Sequence, residues 1–126
     1  MNLCCWNKNA TTDVVPAIHY YVAMFGGPVP VAPYATYGTE QLARNVTAAL
    51  AEWTGCLMAN HGAVTTGPDL RSALTSTRHL EWLCEVYLRT LAAGATGSVP
   101  RLLPASEIAL VAGQLAGYGQ QVPPDD

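Results

Sequence analysis

Two short apolar runs, Cys56 to Ala59 and Ala63 to Thr66, flank an Asn60-His61-Gly62 corner. Each run has the length of a strand and the hydrophobic pattern breaks between them, so the stretch predicts two strands meeting at a kink. Gly62 permits a sharp bend or a close backbone approach, which would let His61 project from a strand end into a cleft. Loop corners on a rigid scaffold are where metal and acid/base sites are often built. A lone histidine in a turn is, however, more often a hydrogen-bonded structural residue, and Asn-His-Gly by itself is a weak motif. Local chemistry leaves both readings open.

With 126 residues the chain is at most one domain, large enough for an ordinary hydrophobic core. Half of it is apolar and only 12% is charged, against roughly 25% in an average soluble domain. Surface not covered by charge fits subunit contact or a missing piece of the same protein. A net charge of −3 with six Lys plus Arg gives no basic patch for a phosphate backbone, so no nucleic-acid partner is expected. Cys4, Cys5, Cys56 and Cys84 have neither CxxC spacing nor the density of a disulfide scaffold, which points to a reducing, cytoplasmic setting. Met1 to Cys5 lacks the features of a secretory signal. Val14 to Tyr37, the longest weakly polar run, is interrupted by four prolines and by Gly26-Gly27, so no membrane association is expected.

Residues 1–13, with Asn7-Lys8-Asn9 and Thr11-Thr12-Asp13, are mostly polar and show no usable periodicity; they are unassigned, expected to be disordered or a non-native start. Val14 to Phe25 is apolar and closes on Gly26-Gly27, predicting a short helix to about Phe25 with Pro16 in its first turn. Whether a strand precedes it stays open. Alternating prolines from Pro28 to Pro33 favour an extended edge or loop segment. Thr39 is a good N-cap for a helix from Glu40 to about Trp53, ended by Gly55, with Leu42, Val46, Ala49, Leu50 and Trp53 on one stripe. Asp69 caps the longest helix, Leu70 to about Ala93, whose apolar positions Leu70, Ala73, Leu74, Thr77, Leu80, Cys84, Tyr87, Leu88 and Leu91 predict one broad buried face. Ala105 to about Ala116 reads as a last helix with Pro104 at its start. The tail, residues 120–126, is expected to be disordered.

The three histidines, His19, His61 and His79, show no HxH or HExxH pairing, whereas a catalytic zinc usually takes three protein ligands. His79 falls within the long helix near Glu81, a surface or packing residue in preference to a ligand, and His19 lies beside Tyr20 and Tyr21, where core or interface packing is the better reading. No Gly-rich phosphate cradle and no nucleophile elbow occurs. Tyr20, Tyr34, Tyr37 and Tyr118 are placed where a phenol could reach a cleft and donate a proton, although core or interface packing is the commoner fate of a tyrosine.

Taken in order, Val15-Pro16-Ala17-Ile18-His19-Tyr20-Tyr21, Gly26-Gly27, Val31-Ala32-Pro33-Tyr34-Ala35-Thr36-Tyr37-Gly38-Thr39 and Ala59-Asn60-His61-Gly62 resemble the class II aldolase/adducin family, in its L-fuculose-phosphate aldolase-like branch. Ala73-Leu74, Glu85-Val86-Tyr87-Leu88 and Gly117-Tyr118-Gly119 continue the likeness, which runs from about Val14 to Gly119. The resemblance implies an α/β layered fold, a mostly antiparallel sheet flanked by helices, of which residues 14–119 form the C-terminal part. It implies a homo-oligomer, a tetramer in the family, with sites at subunit interfaces. It implies that His61 is the last of three zinc-binding histidines. Tyr20 would be the tyrosine that reaches from a neighbouring subunit to protonate the aldehyde oxygen, and Tyr118 a C-terminal tyrosine near that site. The substrate would be a sugar phosphate, split into a dihydroxyacetone-phosphate-like product and an aldehyde, with zinc stabilising the charge that develops.

The family's phosphate-binding loops, acid/base glutamate and His-x-His pair belong upstream of the segment matching Val15, and residues 1–13 contain no His and no Glu. The expectation is therefore a fragment whose beginning is lost, or a degenerate relative, without aldolase activity as it stands. The alternative is a non-catalytic, adducin-like interaction module or a remnant.

Overall fold

The computed structural model describes residues 14–95, 97 and 99–118; the readings made for residues 1–13 and 120–126 lie outside them. Four strands form one sheet in the order β1-β2-β3-β4. β1 (Val14–Val15) runs antiparallel to β2 (Val29–Ala32), β2 parallel to β3 (Gly55–Met58), and β3 antiparallel to β4 (Gly62–Thr65). The sheet is thus mostly antiparallel, and its single parallel pair needs a crossover. Helix α1 (Glu40–Ala49) supplies it; α2 (Leu70–Gly94) and α3 (Ala105–Ala116) complete the layered α/β architecture. Among the described residues no helix is long and apolar enough to cross a membrane.

A two-residue strand does precede the first helical segment, which is a 3-10 helix, Tyr20–Phe25, beginning after Pro16 and not on it. It stops where the sequence says it should, because Gly26 takes φ 97° and a Cβ there would stand 3.0 Å from the Glu52 carbonyl oxygen. β2 corrects the edge-strand reading, since it lies inside the sheet between β1 and β3. Pro30 is tolerated there because its partner across β1 is Val14, in a strand too short to have much of a ladder to lose.

Thr39 caps α1 as expected, its Oγ1 accepting the Leu42 amide hydrogen at 3.3 Å. The helix, however, ends at Ala49, short of Trp53, and Gly55 does not end it. Gly55 opens β3 instead, and is glycine because a Cβ would meet Phe25 Cδ1 at 2.8 Å.

Asp69 caps α2 through Oδ1, which accepts the Ser72 amide hydrogen at 2.7 Å. Only the middle of the predicted stripe is buried. Leu80, Cys84 and Tyr87 reach the core, joined by Leu83, which the stripe omits; Leu70 is 86% exposed and Leu74, Leu88 and Leu91 are also exposed. The reason is length. A helix of 25 residues extends roughly 37 Å at 1.5 Å per residue, whereas strands of four residues extend about 13 Å. The sheet meets the helix from Ala73 onward and buries it only in its middle. There Phe25, Leu57, Leu80, Leu83, Val15, Val22 and Val29 are fully buried in one cluster, each side chain contributing about 1.5–3 kcal/mol on leaving water.

Candidate active site

His61 sits on a β-turn in which its amide hydrogen is donated to the Met58 carbonyl at 3.1 Å. The bend is made by Asn60, at φ 55°, and not by Gly62, whose φ is ordinary and which pairs with Met58 in the sheet. A turn with a left-handed third residue asks for Gly or Asn at that place. The strands accordingly begin and end one residue earlier than the hydrophobic runs suggest. Ala59 donates its amide hydrogen to the Ala32 carbonyl at 3.0 Å, which fastens the corner to the end of β2. The exposed His61 lines an open groove of about 690 Å³ with Thr39 and Glu40 at the start of α1, Leu42 and Val46 along it, and Met58.

Tyr20 begins the 3-10 helix and Tyr118 follows the end of α3. The two line one pocket of about 350 Å³ with Val111, Gln114 and Leu115. Packing of α3 on the 3-10 helix closes this pocket, and the Leu103 amide, donating to the Ala17 carbonyl at 2.8 Å, ties down the lead into α3. The spacing Val111, Gln114, Leu115, Tyr118 is one helical face, a periodic signal that could have tied Tyr118 to α3. None of these residues lines the His61 groove, so within one protomer the structure brings the two tyrosines together and leaves the histidine apart. Tyr34 and Tyr37 stand exposed in the loop before α1.

His19 and His79 belong to an aromatic cluster that sequence reasoning saw only in part. His19 stacks on Tyr20 and meets the edges of Tyr21 and Trp82, while His79 faces Tyr21 with ring centroids 5.1 Å apart. Burial pushes the His19 pKa below its ordinary value. The Nδ1 of His79 is buried without a hydrogen-bond partner. Cys56 and Cys84 are buried in the core, their thiols pushed by desolvation up to about 11 and about 12, so neither is an available nucleophile.

Among the described residues no group of three His, Cys, Asp or Glu is placed to hold a metal ion. His61, with the Glu40 carboxylate on the same groove, does not amount to a metal centre.

A mostly antiparallel sheet flanked by helices, with a histidine on a hairpin corner and two tyrosines in a separate pocket, is the arrangement set beside known proteins. The sequence model described as Class II Aldolase and Adducin N-terminal domain matches residues 2–88, a span that begins ahead of Val14. The chain belongs to the class II aldolase and adducin family. It is 39% identical over 106 residues to the 5-methylthioribulose-1-phosphate/5-deoxyribulose-1-phosphate aldolase of Rhodospirillum rubrum, covering 83% of this chain and 46% of the relative. It is 39% identical over 109 residues to the L-fuculose phosphate aldolase of Escherichia coli K12, covering 86% of this chain and 49% of the relative. The solved structure of an L-fuculose 1-phosphate aldolase superposes with a TM-score of 0.76 at 32% identity, over 90% of this chain and 50% of that one. The chain spans about half the length of the relatives it matches.

Proposed function

We propose that the chain carries the later half of a zinc-dependent sugar-phosphate aldolase site, and that alone it does not turn over. In this reading residues 14–119 are the C-terminal part of the domain, and the assembly is a cytoplasmic homo-oligomer, a tetramer. The reaction breaks or forms the carbon–carbon bond between a dihydroxyacetone-phosphate-like unit and an aldehyde. His61 would offer one imidazole to zinc, the remaining ligands coming from the upstream half of the site. The Tyr20 phenol gives its proton to the aldehyde oxygen in the site of a neighbouring copy, with Tyr118 beside it.

The observation that supports this reading is the separation of the two groups. Tyr20 and Tyr118 line one pocket and His61 another groove, as a site assembled between copies would require. A single histidine falls short of the three protein ligands a catalytic zinc usually takes, hence the expected lack of turnover.

The test has two arms. The purified chain, incubated with L-fuculose 1-phosphate or 5-deoxyribulose 1-phosphate with and without zinc, should release no dihydroxyacetone phosphate; zinc-dependent release would overturn the inactivity. Fused behind the upstream half of the E. coli L-fuculose phosphate aldolase, it should become active. There His61→Ala should abolish turnover and Tyr20→Phe should lower it by about 10²–10⁴-fold, the usual worth of general acid catalysis. A second reading, a non-catalytic interaction module, is favoured by the exposed Leu70, Leu74 and Leu110; partner binding unchanged by His61→Ala would support it.

A further inference from the structure

His19 caps the 3-10 helix that carries Tyr20, and it does so with its ring. Its backbone is extended, at φ −146° and ψ 147°, and its Nδ1 accepts the Tyr21 amide hydrogen at 3.2 Å. An imidazole nitrogen that accepts has no proton, so the neutral ring carries its proton on Nε2. The same ring stacks on Tyr20, with centroids 4.4 Å apart and planes inclined by 30°. Its edges meet Tyr21 at 4.7 Å and Trp82, from the core-packed middle of α2, at 4.8 Å. The imidazole is therefore held by one hydrogen bond and two rings while its face supports the third ring, that of Tyr20. Tyr20 remains 41% exposed toward the pocket it shares with Tyr118.

We propose that His19 is the positioning residue for Tyr20: the Tyr21 amide holds it in the neutral Nε2–H form, its ring sets the plane of the Tyr20 phenol, and protonation of Nδ1 releases that hold. The proposal deepens the role given to Tyr20 above and rests on it for its meaning, though not for its test. A proton on Nδ1 would point at the Tyr21 amide hydrogen, so the cap and the charged ring exclude each other. The groups facing the cluster are Tyr20 and Tyr21 on its own segment, Tyr118 across the pocket, and Trp82 on α2. His79 lies against Tyr21. On α2, Glu81 is next to Trp82 in sequence, and Arg78 and Glu85 lie about one turn to either side.

The test uses the full 126-residue chain with its six tyrosines replaced by 3-fluorotyrosine, the Tyr20 signal being assigned with Tyr20→Phe. Fluorine NMR follows Tyr20 with pH while nitrogen-correlated spectra give the histidine tautomers. His19 should be the Nε2–H tautomer at neutral pH. The Tyr20 signal should move in one step whose midpoint equals that of His19 and lies below the ordinary histidine value. His19→Asn, which keeps an oxygen acceptor at the cap, should keep the folded spectrum and lose the step. His19→Phe, which keeps a ring face without the acceptor, should displace the Tyr20 signal at every pH; should that variant not fold, the wild-type tautomer and titration decide. His79→Gln should leave the step in place. An Nδ1–H tautomer at His19, a Tyr20 signal indifferent to its titration, a step that survives His19→Asn, or one abolished by His79→Gln would each overturn the proposal. Full activity of Tyr20→Phe in the fused enzyme would remove the catalytic role of Tyr20 while leaving the coupling of the two rings standing.

Discussion

The amide hydrogen of His61 is donated to the Met58 carbonyl at 3.1 Å across a turn whose third residue, Asn60, has φ 55°. The orientation of His61 therefore depends on a neighbour held in the left-handed region. Asn60→Val should cost about 1–2 kcal/mol, the penalty of a side-chain-bearing residue there, whereas Asn60→Gly should be close to neutral. Gly62→Ala, whose Cβ would meet nothing within 4 Å, should stabilise by about 0.5 kcal/mol through the unfolded chain. Urea unfolding of the three variants checks the order.

Gly55 illustrates a different use of glycine. It stands against the Phe25 ring, where an added Cβ would lie 2.8 Å from Cδ1 and 3.4 Å from Thr65 Cγ2. Phe25 is fully buried and has no room to retreat. Gly55→Ala should therefore cost about 1–3 kcal/mol as overpacking. Pairing it with Phe25→Leu should recover part of the loss, and denaturant midpoints of the single and double variants measure how much.

Thr65 of β4 and Thr77 of α2 share a hydrogen bond at 2.7 Å, and each hydroxyl also lies within bonding distance of the Ala73 carbonyl, at 2.9 and 3.0 Å. This small network ties the strand leaving the His61 corner to the long helix. Thr77→Val should lose about 0.5–1.5 kcal/mol, the net worth of one such bond. The double variant with Thr65→Val should lose less than the two single losses added, because the groups share partners. A double-mutant cycle on unfolding free energies gives the coupling directly.

What the sequence carried, and what it could not, follows from the range of each signal. Thr39 and Asp69 announced two helix starts because capping is chemistry confined to a single turn, and Pro104 marked the third. Asn60 was overlooked because Gly62, two places on, is the more obvious bending residue, and only the register Met58 to Gly62 shows that it lies in the ladder. The exposed ends of α2 were not legible at all, since periodicity reports which face is apolar and not how far the opposing sheet extends. The meeting of Tyr20 with Tyr118 depends on α3 returning over the 3-10 helix, a tertiary event with no local trace. The corner that carries His61, by contrast, was legible from the break between two apolar runs; the groove beside it was not, because one side comes from α1.

The pH dependence of stability should show two separate losses on acidification. Burial holds the His19 pKa below its ordinary 6.5, so the fold favours the neutral ring. That contribution is complete above the unfolded value and is lost as pH falls through the lowered folded one. The Asp69 carboxyl is held below 3.8, first by the Ser72 amide and then by the Ser72 side chain. Its contribution is complete above the unfolded value and is lost on passing through the folded one in stronger acid. Thermal unfolding of the wild-type chain should therefore show Tm falling first below about pH 6.5 and again below about pH 4. His19→Asn should remove the first decline and leave the second. Asp69→Asn keeps an acceptor for the cap but cannot ionise, so it should remove the second and leave the first. If both variants retained both declines, neither group would be the source of the acid sensitivity.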